Sequence, residues 1–383
     1  MKPDGIRAML RREDMCEGAR RYWDFYNMVP DAPLVQTELN GFYSLDAWKA
    51  QGLPENIDTS VEFMFTPNGR HVVHGCGGVE AGFVPLFDEA ILEERGEYEL
   101  VRDIAGRHVL FFKNRRNGFM PEYADHPVKD FKSWEENCKW RMDPDSPERQ
   151  TAMDQYLPSA VEAAGRGMFM SQHVVGGYMY LRSLIGPIDL LYMFYDQPAL
   201  IHDCMESWLK LADSVVARHQ KIVSFDEFFI GEDICYNHGS LISPDMIKEF
   251  ILPYYQQLME NMKKRRLDKT RPIHFQVDTD GFSDVIIDLY RHIGMDYLCP
   301  FEVASGCDVL RTGREYPDLR VAGGLDKRVL ARSFNEIDNM VEAILPPMRK
   351  RGGYLVTCDH GVPEEVPLEN YRYFRKRCME IGN

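Results

Sequence analysis

From Gly167 onward the sequence alternates short apolar runs with helical patterns at intervals of roughly 30 to 50 residues, and no other feature limits the fold as strongly. The runs are "GMFMSQHV" (167–174), "SFDEFFIGED" (224–233), "PIHFQVD" (272–278), "YLCPFE" (297–302), "RVAGGLD" (320–326) and "GGYLVTCD" (352–359). Each has the length of a buried strand, and the text between them supplies the crossovers that parallel strands need. Between the second and third runs, Ile247, Phe250, Ile251, Tyr254, Leu258 and Met262 share one helical face. Ser243-Pro244 opens that helix as N-cap and first-turn proline, and Pro253 inside it should kink or divide it. Ser333 followed by Glu336 predicts a capping box at the start of a later helix.

Six such units, with two strands drawn from the region before Gly167, make eight, so the expected fold is a (β/α)8 barrel. A doubly wound open sheet is the alternative, but no GxGxxG stands between a strand and a helix. The chain reads as one domain, 1–383, with an N-terminal helical extension over 1–60 and the barrel over 61–383. Asn68-Gly69 and Gly106-Arg107 read as hairpin turns, and "RMDPDSPERQ" (141–150) is the most linker-like stretch.

A net charge of -15 argues against nucleic-acid binding, because "KKRRLDKTR" (263–271) is the sole basic cluster and reads as a solvated helix end. Nine cysteines without a CxxC pair suit reduced thiols. The start "MKPDGIRAMLRRED" lacks the apolar core of a signal peptide, and no stretch reaches the roughly 18 apolar residues of a membrane span. The expectation is a cytoplasmic enzyme, compatible with a homodimer.

In a parallel barrel, ligands bind at the carboxyl ends of the strands. Here those ends carry His173, Glu232-Asp233, His274 with Asp278 and Asp280, Glu302, Asp326 and Cys358-Asp359-His360. For each carboxylate alone a helix N-cap is an equal reading, and His173 alone reads better as a hydrogen-bonded core residue. Six strands ending this way need a metal, a cationic ligand or shared protons to offset the repulsion. His and Cys suit zinc, so His274 and Cys358 are candidate ligands, with Glu232, Glu302, Asp359 or His360 to complete the set. "HVVHGCGG" (71–78) also resembles a ligand cluster, but its turn setting favours a loop. The aromatic and Met-rich stretch 178–195 reads as helix packing before pocket lining.

The motifs "GEDICYNHGSLISPDMIKEFILPYY" (231–255), "HFQVDTDGFSDVI" (274–286), "LCPFEVASGCDV" (298–309), "VAGGLDKRVLA" (321–331) and "GGYLVTCDHGVPEEVPLENYRYF" (352–374) resemble the uroporphyrinogen decarboxylase superfamily. Within it they resemble the corrinoid-dependent methyltransferases more than the true decarboxylases, over about residues 165–383. The resemblance implies a (β/α)8 barrel with its site at the strand ends. Two departures matter. No amino-terminal segment of the RQAGRY type is present to hold the substrate carboxylates of a decarboxylase. Of the methyltransferases' zinc-binding HxC pair, His274 matches the histidine while Gln276 stands in the cysteine's place; Cys358 or Asp359 matches the later cysteine.

The resemblance implies a demethylating enzyme that moves a methyl group from a small O- or N-methylated donor to the cobalamin of a partner corrinoid protein. An ether or amine methyl leaves poorly, so the heteroatom must be protonated or polarised. Glu232, His274, Asp278 and His360 are expected to be catalytic. His173, Asp233, Asp280, Glu302 and Asp326 are expected to bind substrate, and His274, Cys358 and Asp359 to hold zinc. The alternatives are a decarboxylase-like lyase and a non-catalytic ligand-binding barrel.

Overall fold

The computed structural model describes residues 12–39, 41, 43–113, 122–267, 269 and 271–383. Eight strands run parallel in one curled sheet: β1 (Val35–Gln36), β2 (Arg70–Cys76), β3 (Phe169–Val175), β4 (Glu227–Gly231), β5 (His274–Asp278), β6 (Tyr297–Phe301), β7 (Arg320–Gly323) and β8 (Tyr354–Val356). The ladder is continuous from β2 through β3 to β8 and on to β1. Between β1 and β2 no ladder forms; there the Thr66 N–H donates to the Gln36 carbonyl (2.9 Å) and the Gln36 N–H to the Thr66 hydroxyl (2.8 Å). With helices crossing between successive strands, this is the expected (β/α)8 barrel, and each of the six apolar runs holds one strand.

The helices start and stop where their sequences require. The Ser243 hydroxyl accepts the Met246 N–H at 3.2 Å. The helix Pro244–Phe250 then breaks at Ile251 and resumes as Leu252–Arg265, with Pro253 in the first turn, where its missing N–H leaves no bond unmade. Ser333 and Glu336 form the expected capping box.

The amino-terminal region supplies a plug as well as a strand. β1 lies within residues 1–60, and the helix Glu17–Tyr26 closes the amino ends of the barrel strands. Its Tyr26 ring stacks on Phe169 and on His274 (centroids 5.2 and 4.2 Å), and its hydroxyl donates to Glu227. Asn68-Gly69 is not a hairpin turn: it leads into β2, which pairs in parallel with β3. Gly69 is there for contact. A Cβ on it would stand 2.0 Å from the Ala19 nitrogen, and one on Gly18 would stand 1.9 Å from the Pro67 carbonyl oxygen. "HVVHGCGG" accordingly lies largely in a barrel strand, not a loop.

The turn at Gly106-Arg107 does join two antiparallel strands, Tyr98–Arg102 and His108–Phe112. They belong to a four-stranded sheet, with Ala90–Arg95 and Glu122–Asp125, inserted between β2 and β3. All nine cysteines are free thiols. Among the described residues no helix is long and apolar enough to cross a membrane. The basic run is partly neutralised, Arg265 by Asp213 and Arg271 by Asp226; its residues 268 and 270, like the start 1–11, lie outside the described residues.

Candidate active site

Alternate residues of a strand point to the same face. Glu227, Phe229 and Gly231 of β4 face inward, as do Gln276 and Asp278 of β5, and they line a cavity of about 500 Å³ that runs from the barrel floor to its mouth. At the floor, Arg70 donates to Glu227, to the Ser171 hydroxyl (3.2 Å) and to the Gln276 amide oxygen (3.3 Å), and Glu227 also accepts from the Ser171 and Tyr26 hydroxyls. Glu227 is buried and compensated by the partly exposed Arg70. His173 lies beside it, 3.1 Å from Arg70 and stacked on Phe229 at 4.0 Å. Burial and the Arg70 charge push its pKa down to about 2, so it is a neutral imidazole accepting from Arg70. It shares the inward parity of Phe229 but is not among the residues that line the cavity.

The mouth is dominated by acids. Glu232 follows β4 and is 0% exposed, accepting from the Tyr255 hydroxyl and the Tyr178 N–H (3.1 Å). Burial outweighs these bonds and pushes its carboxyl up to about 7. Asp278 accepts from the Cys299 thiol at 3.3 Å, and desolvation, with Asp280 and Asp233 adding to it, pushes it up to about 7 as well. Asp233 sits at φ 49°, a left-handed conformation that turns the chain at the mouth, and pairs with Arg182 at 2.7 Å. His360 Nε2 lies 3.3 Å from Asp280, which holds the imidazole above its ordinary pKa. Glu302 accepts the Gly281 N–H at 2.8 Å. The ligand atoms of Asp280, Glu302 and His360 lie within 4.8 Å of one another, the single such group among the described residues. Two carboxylates and an imidazole are donors that a divalent ion accepts.

Other expected site residues are placed elsewhere. His274 has the inward parity of Asp278 but begins β5 where Asp278 ends it, about 13 Å away at 3.3 Å per residue. It is at the floor, with Nδ1 on Asp296 (2.6 Å) and its ring on Tyr26, and it does not line the cavity. Asp359 is 1% exposed with both oxygens engaged, one by the Val303 N–H (3.1 Å) and one by the Lys327 N–H (3.0 Å). It ties two loops together. Cys358 is among the lining residues, but burial and nearby Glu38 push its thiol pKa well up, which disfavours the thiolate. The set His274, Cys358 and Asp359 therefore does not fit zinc. Asp326 caps the turn Lys327–Ala331 and pairs with Arg328 at 2.8 Å, outside the cavity. The stretch 178–195 is mostly packed core, with Met179 alone reaching the cavity.

Three charged lining residues are not singled out by the sequence. Arg70 and Glu227 begin strands, and a charged residue at the inward parity of an apolar run is the available signal. Glu38, just past β1, accepts from the Thr357 hydroxyl (2.8 Å) and the Cys358 N–H (3.0 Å), and burial raises its pKa.

The fold is similar to that of a methyltransferase from Methanosarcina mazei, with a TM-score of 0.58 and 12% identity over 95% of this chain and 98% of that one. In sequence the chain is 28% identical over 182 residues to a uroporphyrinogen decarboxylase of Chloroflexus aurantiacus, 47% of this chain and 48% of that protein. It is 26% identical over 203 residues to one of Crocosphaera subtropica, 49% of this chain and 50% of that protein. The chain thus spans about half the length of the curated relatives it matches. The family model for uroporphyrinogen decarboxylase (URO-D) matches residues 171–381. That span is more than half of the chain and runs from within β3 through β8 with the acids of the mouth, and the chain belongs to the uroporphyrinogen decarboxylase family.

Proposed function

We propose that this protein is a methyltransferase that moves a methyl group from a small O- or N-methylated donor to the cobalamin of a partner corrinoid protein. The observation that carries the reading is the charge of the cavity wall. Glu38, Glu227, Glu232, Asp233, Asp278 and Asp280 line it against one guanidinium, Arg70, which Glu227 already neutralises. Uroporphyrinogen is a polycarboxylate, and such a wall repels a polyanion. The relatives' name favours a decarboxylase-like lyase; the wall opposes it.

In this reading the donor enters the mouth and sets its heteroatom near Glu232. A neutral oxygen would take the proton that Glu232 holds near neutrality; a positive nitrogen would take its negative charge. Tyr255 and the Tyr178 N–H fix the carboxyl, while His360, oriented by Asp280, can move a proton at the same face. Asp280, Glu302 and His360 are the residues that would hold a zinc or other divalent ion, whose chemistry would be polarisation of the heteroatom. The corrin would serve as the methyl acceptor, brought to the open end of the barrel by its own protein.

The test is methyl transfer to added cob(I)alamin from a panel of O- and N-methyl donors. Transfer is expected, with Glu232→Gln slower by roughly 10²- to 10⁴-fold while the fold is retained. Coproporphyrinogen formed from uroporphyrinogen at an enzymatic rate would refute the reading.

A further inference from the structure

Three carboxyls of the cavity wall, Glu38, Glu232 and Asp278, have no ion-pair partner among the described residues. The other three are matched, Glu227 by Arg70, Asp233 by Arg182 and Asp280 by His360. The unmatched three are held by uncharged donors: the Thr357 hydroxyl and Cys358 N–H, the Tyr255 hydroxyl and Tyr178 N–H, and the Cys299 thiol. Buried Arg375 lends Glu38 some favourable charge but makes no ion pair with it, donating instead to the Phe63 carbonyl and to Gln36. Beside the polar Thr37, Gln276 and Thr357, the rest of the wall includes Tyr22, Phe229, Tyr297 and Met179 around the same 500 Å³ space.

Each class of ligand meets this wall differently. An anion is repelled, and a neutral ether leaves three carboxyls unmatched. A bare metal ion leaves the aromatic faces and most of the volume unused. A cation that carries methyl groups uses both features, since carboxylates match its charge and aromatic faces attract a quaternary nitrogen. We propose that the ligand of this cavity is a small methylated ammonium, a tertiary or quaternary amine cation, held by Glu38, Glu232 and Asp278 in a space that the aromatic residues Tyr22, Phe229 and Tyr297 also line. The proposal rests on the methyl-transfer reading only in taking this cation as the donor. As donor, its C–N bond breaks with the electron pair staying on nitrogen, which leaves as a neutral amine. The acceptor, a nucleophile of the cob(I)alamin class, supplies the pair for the new bond to carbon.

Calorimetry on the full chain without any corrinoid tests the class directly. The probes are choline and its neutral carbon isostere, in which a tert-butyl group replaces the trimethylammonium. Choline is expected to bind at least about tenfold more tightly, a difference of about 1.4 kcal/mol. Glu232→Gln and Asp278→Asn should each shrink that ratio; the wild-type comparison decides alone if either variant fails to fold. Equal binding of the two probes, or no choline binding at millimolar concentration, overturns the proposal. Choline binding with no methyl transfer from any amine to cob(I)alamin supports the ligand class and removes the transfer reading. Transfer from aryl methyl ethers with no ammonium bound does the reverse.

Discussion

Asp359 and His360 are chain neighbours that serve different ends. Asp359 turns away from the cavity and caps two backbone N–H groups of neighbouring loops, whereas His360 faces the cavity and Asp280. Asp359→Ala strands both N–H groups and should cost on the order of 2 to 4 kcal/mol, read as a lowered urea midpoint. An unchanged midpoint would show that water replaces the carboxylate without loss. His360→Gln should keep the midpoint and lower turnover. Residue identity makes the acids of the mouth legible, because a carboxylate at the end of an apolar run has few other places to go. It does not separate Asp359 from His360, since which neighbour faces inward is set by the irregular turn after β8 and not by strand parity. His274 misleads for a related reason. A five-residue strand has two ends, and His274 begins it.

Among the elements, the barrel strands from β3 onward are legible because strands covered on both faces read as continuous apolar text. β1 has two residues, too few for any periodicity to register. β2 is hidden because Asn68-Gly69 carries the strongest short hairpin signal while Gly69 is needed for a backbone approach to the plugging helix. Gly69→Ala tests this. Its Cβ would meet backbone that cannot swing aside, so the helix Glu17–Tyr26 must shift, at a cost of roughly 1 to 3 kcal/mol. Asn68→Ala should be nearly neutral. If instead Asn68→Ala is the more damaging change, as a tight turn would require, the contact argument fails.

For the whole molecule, the buried acid couples folding to pH. Glu232 has its pKa raised from 4.5 to about 7, so the native state keeps a proton that the unfolded chain has lost, and its stabilising contribution falls as pH rises through 7. The buried histidines His173 and His219, lowered from 6.5 to about 2 and about 3, act in the opposite sense, but the unfolded imidazole is already mostly neutral above 6.5. Asp278, likewise raised to about 7, acts in the same sense as Glu232, so between pH 6.5 and about 8 the melting temperature should fall as pH rises, and Glu232→Gln should lessen the slope without abolishing it. The full Glu232 linkage, on the order of 3 kcal/mol, is spread mostly between its unfolded and native pKa values, so only its last part, on the order of 1 kcal/mol, falls in this interval. A wild-type profile rising over that interval would mean that Glu232 and Asp278 are both ionised in the native protein. The reaction itself is tested most directly by presenting donors labelled with carbon-13 in the methyl group to the protein and cob(I)alamin, and tracking the label by NMR. The expected result is a methyl resonance on cobalt that appears only with active protein and grows as the demethylated donor accumulates. No cobalt-bound label from any O- or N-methyl donor, alongside carbon dioxide released from uroporphyrinogen, would contradict methyl transfer and make the protein a decarboxylase.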